Sequence, residues 1–275
     1  MALSVATNIG ALAASKAASS VNSSMETSMA RLSSGKRINS AADDSAGLAI
    51  ASRLTSEARG LDMAARNAAD GQAMINTIES AHNEIHNILQ RMRELAVQGA
   101  NDTNGTDDRA NIRRELTELH EEIDAIKNQT KWAGQTLISS ASTFRFQIGD
   151  EKDEQLTVAT TAIASSSLSV GSTQVGSLSS SATFSAFVTT VNNAISSVSG
   201  YRAEYGANSN RLDHVMSNLA TNAESVKASL GRIEDTDYAA ETTDLAKSQI
   251  LQQAATSMLA QANASKQTIL SLIQG

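Results

Sequence analysis

Apolar residues in the first half of the chain recur at alternating spacings of three and four. This heptad pattern runs through residues 45–98 without a proline and predicts one long helix packed lengthwise on other helices. At 1.5 Å per residue, roughly 54 residues would give a helix about 80 Å long. Either Asp43 or Asp44 is suited to cap its N-terminus. The pattern consists of Leu61, Ala64, Ala68, Gly71, Ile75, Ile78, His82, Ile85, Leu89, Met92 and Ala96.

Two further heptad patterns predict two further helices. Residues 106–128 should form a helix that folds back along the first one as a hairpin, with Thr106 as its N-cap. The pattern in residues 184–233 starts at Phe184, Val188, Val191 and Ile195 and departs from apolar character only at Arg202 and Ser209. It predicts a third long helix, about 75 Å by the same rise.

The period changes to two after residue 142. Phe144, Phe146 and Ile148 alternate with polar residues, and Leu156 and Val158 follow after a turn. This alternation predicts a small β-hairpin near residues 143–158. Residues 160–183 are about half Ser and Thr, a composition typical of a surface loop or linker.

Both ends of the chain have a weak apolar pattern and very little charge. Residues 1–32 hold three ionisable side chains, and residues 245–275 hold two. The N-terminal stretch is therefore either a disordered tail or a segment that becomes ordered against a partner. The large apolar side chains of residues 1–32, among them Ile9, Leu12, Met25 and Met29, fall at helical spacing. The predicted packing seam of the C-terminal segment is Leu251, Ala255, Met258, Ala262, Ser265, Ile269 and Leu272.

The two halves of the chain mirror each other, so the simplest arrangement pairs the first segment with the last. The predicted fold is mainly α, with long antiparallel helical rods, a terminal coiled coil and a small β-hairpin. The predicted parts are an inner coiled-coil domain (1–32 and 245–275), connecting joints (33–44 and 234–244), a rod domain (45–159 and 184–233) and the Ser/Thr-rich loop (160–183).

The two joints carry opposite charges. Lys36 and Arg37 in the first joint are complementary to Glu234, Asp235 and Asp237 in the second. We expect the joints to pair by charge, within one subunit or between subunits. Exposed ion pairs contribute only about 0–1 kcal/mol each, so such pairing would set register more than stability.

Composition excludes several classes of protein. The net charge is −7 without a dense basic cluster, so nucleic acid is not an expected partner. Aromatic content of 3% is low for a globular enzyme, and the absence of cysteine excludes disulfides and thiolate metal sites. We expect no cleavable signal peptide and no transmembrane helix, because no basic leader or long apolar run is present.

A zinc peptidase site would need His-Glu-x-x-His on one helix. His120 is followed by Glu121, but the second ligand position holds Asp124. His82 and His86 have the ligand spacing without the intervening glutamate. We therefore expect no catalytic site, no metal and no cofactor, and we interpret His82 as a satisfied core histidine.

Five sequence motifs at the two ends of the chain, in the same order, resemble bacterial flagellin. They are RLSSGKRIN (31–39), AADDSAGLAI (41–50), LQRMRELAVQ (89–98), RIEDTDY (232–238) and QILQQ (249–253) running on to LSLI (270–273). The resemblance covers roughly residues 1–160 and 184–275. It implies a secreted, extracellular subunit that polymerises into the flagellar filament used for motility.

The same resemblance implies partners and a receptor site. The partners would be other copies of the chain, an export chaperone of the flagellar type III apparatus, the filament cap and the hook-junction proteins. Residues that would contact vertebrate Toll-like receptor five are Gln90, Arg91, Glu94, Leu95 and Glu115. Leu95 lies off the predicted core pattern, so we expect it to be exposed one turn after Arg91. The same surface would also serve packing between subunits.

Two alternatives remain. One is a hook–filament junction protein, which shares the terminal helices, although the motifs at 232–238 and 249–253 favour flagellin. The other is a non-polymerising receptor-binding module, for which the weakly charged ends would have no use. Only the short Ser/Thr-rich stretch occupies the place of the large outer domains of many flagellins, so a slim filament without them is expected.

Overall fold

A computed structural model describes residues 7–274, with side chains described to residue 265. The predicted mainly α fold is confirmed. The helices are α1 Ile9–Ser34, α2 Ser45–Gly99, α3 Thr106–Gln129, α4 Ser172–Gly176, α5 Ser181–Glu234 and α6 Tyr238–Gln274, and the strands are β1 Lys131–Trp132, β2 Gln135–Thr136, β3 Ser142–Gln147 and β4 Gln155–Thr160.

The chain divides into two compact units. The terminal unit comprises Met1–Glu57 and Ser225–Gly275, and the central unit comprises Ala58–Glu224. The division falls inside α2 and α5 rather than at the joints.

Helix starts follow from short polar side chains. Asp44 caps α2, because its Oδ1 accepts a hydrogen bond from the Gly47 amide at 2.8 Å. Asp43 instead accepts bonds from the backbone amides of Ser40 and Asn39, and the bond from Ser40 lowers the pKa of Asp43. At α3 the prediction is wrong by one residue, because Gly105 is the N-cap and donates its amide to Asp108.

The central unit has a core formed by the predicted heptad pattern of α2 together with α3 and α5. Ile75, Ile78, Ile85 and Leu89 are each at most 1% exposed. On α5 the buried row differs from the predicted one, because Phe187 and Ala194 replace Val188 and Ile195, which are only partly buried. Periodicity alone does not choose between adjacent rows. The positions common to both rows are Phe184, Val191, Val198, Tyr205, Leu212, Leu219 and Ala223.

The predicted β-hairpin is confirmed as the antiparallel pair β3–β4, with Phe144 opposite Val158 and Phe146 opposite Leu156. The hairpin packs on α2, since a Cβ added to Gly71 would lie 3.2 Å from the Phe146 ring.

A second hairpin, β1–β2, was not predicted from the sequence. It turns at Ala133 and Gly134, which both have positive φ, at 48° and 83°. Positive φ at both turn residues is the geometry of the tightest hairpin turns. Its strands are only two residues long, which is too short to show a periodic pattern.

The prediction of a surface loop at residues 160–183 is wrong. The stretch is largely irregular, but it contains α4 and contributes buried side chains to the central core. Ser165 also anchors it, because its hydroxyl donates to Asp124 at 2.7 Å and its amide donates to the same carboxylate. The signal that the composition hid is a set of well-spaced apolar residues, which are Ile163, Leu168, Val170, Val175 and Leu178.

In the terminal unit α1 and α6 pack against each other in antiparallel orientation, so the predicted pairing of first and last segments is confirmed. At one end the Asn8 side chain donates to the Ala262 carbonyl at 3.1 Å. At the other end Arg31 lies 3.6 Å from Glu241.

The row of α6 that packs against α1 lies on a different face of the helix from the predicted seam. Leu251 and Met258 are 44% and 65% exposed, and only Ala255 and Ala262 of the described seam residues are partly buried. Ile269 and Leu272 lie outside the described side chains. The covered rows are Glu241, Leu245, Ser248, Gln252, Ala255, Leu259 and Ala262 on α6, and Ala11, Ala14, Ala18, Val21, Met25, Ser28 and Leu32 on α1. Small side chains dominate the α1 row, and they allow two helices to approach closely.

Candidate functional site

Several large apolar side chains of helices α1 and α6 are exposed. We call them the terminal apolar surface, which consists of Ile9 (72% exposed), Leu12 (72%), Met29 (50%), Ile250 (67%), Leu251 (44%) and Met258 (65%). The predicted seam omitted Ile250, which is adjacent to Leu251 and is more exposed than Leu251. Exposed large apolar groups of this kind are typical of a protein–protein contact surface.

The two joints meet within one chain through their backbones. The Arg37 amide donates to the Glu234 carbonyl at 2.6 Å, and the Thr236 amide donates to the Gly35 carbonyl at 3.0 Å. Gly35 has a φ of 73°, which is favourable for glycine, and it ends α1. These bonds bring the predicted joint residues together in the terminal unit.

The joint side chains form one of the expected ion pairs. Lys36 Nζ lies 2.5 Å from Glu234 Oε1, whereas Arg37 donates to the Ile233 carbonyl at 2.7 Å. Asp235 is opposite Lys36 in an isolated backbone bridge. Asp237 caps α6, because its carboxylate accepts the Ala239 amide at 2.9 Å and the next amide at 3.2 Å.

Exchanging the charges of Lys36 and Glu234 tests this pair. The single substitution Lys36→Glu should lower the free energy of unfolding by no more than about 1 kcal/mol, and adding Glu234→Lys should restore it. Adding Asp237→Lys to Lys36→Glu should not restore the stability. Asp237→Lys alone should lower the free energy of unfolding by about 0.5–2 kcal/mol, because the cap of α6 is lost. Denaturant unfolding of the four variants measures this, and rescue by Asp237→Lys instead would contradict the observed pairing.

Three of the predicted receptor residues form an exposed ion network in the central unit. Arg91 donates to Glu115 Oε1 from Nε at 3.0 Å and from Nη2 at 2.8 Å, and it donates to Glu94 at 3.0 Å. The hydrogen bond to Glu115 is the main cause that raises the pKa of Arg91. Gln90 is exposed beside this network. The fork of Arg91 is therefore held in one orientation on the surface.

Leu95 does not belong to that surface. Its side chain is 2% exposed, so the prediction of an exposed Leu95 is wrong. Leu95 and Ile88, one heptad earlier, are both buried and form a second row beside the predicted pattern. A helix that packs on two others buries a face wider than one heptad seam, and this width places Leu95 in the core.

The histidines form no metal site within the described side chains, where no three His, Asp or Glu groups cluster to hold an ion. His82 and His120 are both buried, at 0% and 6% exposed. Each leaves one ring nitrogen, Nε2 of His82 and Nδ1 of His120, without a hydrogen-bond partner. The interpretation of His82 as a satisfied core residue is therefore wrong in this respect. Of the helices in the described range, none combines the length and apolarity required to cross a membrane.

Comparison with known families supports the resemblance. The model of the bacterial flagellin N-terminal helical region matches residues 5–143, and the model of the C-terminal helical region matches residues 188–273. A flagellin of Halalkalibacterium halodurans is 38% identical and covers 90% of this chain and 92% of its own. A flagellin of Bacillus subtilis is also 38% identical and covers 97% and 98%.

A solved structure gives the same fold. It is described as a flagellar hook-associated protein from Vibrio parahaemolyticus, with a TM-score of 0.61 and 17% identity, and it covers 70% of this chain and 100% of that chain. At that identity it shows the fold alone, so the junction-protein alternative is not favoured. The chain therefore belongs to the bacterial flagellin family and is a structural subunit of the flagellar filament.

Proposed function

We propose that the terminal apolar surface is the contact through which copies of this chain polymerise. The observation that carries the proposal is the exposure of large apolar side chains on both α1 and α6. The rows through which α1 and α6 pack do not include these six side chains, which lie on the outward faces of the two helices. Burial of apolar side chains contributes about 1.5–3 kcal/mol each, so covering this surface with neighbouring copies would stabilise a filament.

The low charge of the two helices supports the same proposal. Charged groups would have to be desolvated where helices of several copies pack together. Between Ile9 and Leu32 the ionisable side chains are Lys16, Glu26 and Arg31, and Arg31 is partly neutralised by Glu241. The proposed route to the filament is export through the flagellar type III apparatus with its chaperone, followed by assembly beneath the filament cap beyond the hook-junction proteins. The chain is then an extracellular component of the flagellum.

A charge-insertion experiment tests polymerisation. Purified chain is mixed with short filament fragments of the same protein, and the pellet is examined by sedimentation and electron microscopy. We expect long fibres from the unmodified chain and a loss of most sedimenting material for the double variant Leu251→Glu/Met258→Glu. The monomer's helix content should be retained, because both side chains are already exposed.

The chain offers a matched control on the same helix. Gln249 and Thr256 are exposed and seven residues apart, the same spacing as Leu251 and Met258. Gln249→Glu/Thr256→Glu adds the same two charges away from the terminal apolar surface, so fibres should still form. Equal loss of fibres in both variants would reject a specific role for the apolar side chains. A chain that stays soluble with seeds and without substitutions would reject polymerisation.

The exposed ion network on α2 and α3 supports a second role for the monomer. We propose that Arg91, Glu94 and Glu115, with Gln90 beside them, form the surface that Toll-like receptor five would recognise. A guanidinium whose fork is already oriented by two carboxylates loses less side-chain entropy when it binds. Leu95 would support this surface from below, by packing in the core, rather than by contact with the receptor.

A further inference from the structure

A histidine lies at the centre of the packing between α2 and α5 in the central unit. His82 is fully buried, and its Nδ1 lies 2.7 Å from the Ile78 carbonyl. Because a carbonyl only accepts, Nδ1 carries the proton and Nε2 presents a lone pair. Two α5 rings lie at steep angles to the imidazole, with centroid distances of 5.2 Å to Tyr205 and 6.4 Å to Tyr201. Nε2 has no hydrogen-bond partner among the described residues.

The two charged residues that act on His82, Glu79 and Arg202, form an ion pair with each other. Arg202 of α5 donates to Glu79 of α2 at 2.8 Å, and the second oxygen of Glu79 is buried without a partner. Glu204 is exposed, and the Tyr205 hydroxyl accepts a hydrogen bond from the Thr161 amide at 3.2 Å. None of these described groups is hydrogen-bonded to the imidazole of His82.

Helix α3 adds a second buried histidine and one paired acid. His120 is 6% exposed. Although burial raises the pKa of Asp124, the hydrogen bonds from Ser165 and the charge of Lys127 hold it below its usual value. Lys127 lies 3.5 Å from Asp124. That carboxylate therefore already has two partners.

We propose that His82 is an acid-sensitive switch, in which the neutral imidazole permits the α2–α5 packing and its protonation opens the central unit. Protonation would create a buried cation whose new Nε2–H group has no hydrogen-bond partner among the described residues. Arg202 opposes that charge, and Glu79, which favours it, is already paired with Arg202. A buried charge without a partner is strongly destabilising, whereas the same group is freely hydrated in the unfolded chain.

The direction of the pH effect follows from linkage. Burial lowers the pKa of His82 below its usual 6.5, and the Ile78 carbonyl and the charge of Glu79 oppose that shift only in part. The unfolded chain therefore binds a proton that the folded chain does not. Stability falls as the pH drops below about 6.5 and levels off below the folded pKa. Within that window the unfolding equilibrium constant should rise up to about tenfold per pH unit.

Denaturant unfolding of the full-length monomer between pH 7.5 and 5 tests the switch. The His82→Leu variant keeps an apolar side chain of similar size in the seam, and it should lose the steep rise of the unfolding constant seen in the unmodified chain. His214→Gln removes an exposed histidine of α5 and should leave the pH dependence unchanged. An unchanged slope in His82→Leu, or a slope that disappears instead in His120→Leu, would overturn the proposal.

A measurement on the unmodified chain remains decisive if His82→Leu does not fold. The carbon-bound imidazole proton of His82 can be followed by NMR as the pH is lowered. While the central unit stays folded, we expect this proton to keep the chemical shift of the neutral ring well below pH 6.5. Titration of His82 near or above pH 6.5 in a unit that stays folded would overturn the proposal.

Discussion

Replacing Leu95 with alanine is expected to lower the free energy of unfolding of the central unit by about 2–5 kcal/mol. The side chain is 2% exposed and belongs to the same core as Met92 and Leu116, both fully buried. Truncation removes buried methyl groups and leaves a cavity between helices that are held in place by their other contacts. Denaturant unfolding of the monomer measures the loss directly.

A matched control lies two residues further along α2. Val97 is 54% exposed, so Val97→Ala should change the free energy of unfolding by no more than about 0.5 kcal/mol. The two variants differ in burial while both shorten an aliphatic side chain on one helix. Equal stabilities of Leu95→Ala and Val97→Ala would contradict the buried position of Leu95.

The buried position of Leu95 also leads to a prediction for receptor recognition. A weaker receptor response in Leu95→Ala should follow the fraction of unfolded chain, because this side chain is not on the surface. Arg91→Ala should reduce binding to the receptor while the monomer stays folded. Arg93 is the control, since it is also exposed and donates to Asn192 at 2.8 Å. Equal losses of binding in Arg91→Ala and Arg93→Ala would reject the proposed surface.

A methyl group at Gly99 is expected to destabilise the central unit by about 1–3 kcal/mol. A Cβ at this position would overlap Cδ1 and Cε1 of the Phe184 ring. The Phe184 ring is fully buried near the start of α5, so it cannot turn into solvent to relieve the overlap. The end of α2 and the start of α5 would have to separate.

Gly200 is the control, because its substitution by alanine should change the free energy of unfolding in the opposite direction. A Cβ at Gly200 meets nothing within 4 Å, and the residue is exposed inside α5. Gly200→Ala should therefore stabilise the unit by about 0.5–1 kcal/mol, because alanine loses less backbone entropy in a helix. The denaturant midpoints of the two variants measure this, provided that the free energy of unfolding depends on denaturant concentration with the same slope in both. A change of the same sign in both would mean that helix propensity, and not contact with Phe184, decides the effect at Gly99.

The helices and the longer hairpin were predictable because their signals are local. The periodic apolar residues predicted the bounds of α2 and α5 to within a few positions, and the alternating stretch predicted β3 and β4. A capping aspartate was expected at position 43 or 44 for the same reason. The charge complementarity of the joints was also readable, but the sequence did not choose among Glu234, Asp235 and Asp237, and the structure pairs Lys36 with Glu234.

Which face of a helix is buried was decided by the tertiary structure. Leu95 is buried because α2 packs on more than one helix, so its buried face is wider than a single heptad row. Leu251 and Met258 are exposed because they lie on a different face of α6 from the row that contacts α1, which includes Leu245, Gln252 and Leu259. A composition rich in Ser and Thr likewise concealed the residues that anchor 160–183 in the core.

The sequence by itself determined the helical architecture, the pairing of the two ends and the flagellin family, because periodicity, mirrored composition and five motifs are properties of the chain alone. Only the tertiary structure decided that Asp237 caps α6 instead of pairing with Lys36, and that Nε2 of His82 is buried without a partner. Both outcomes depend on where the backbones of distant segments bring donors, acceptors and apolar rings together, which no local pattern specifies.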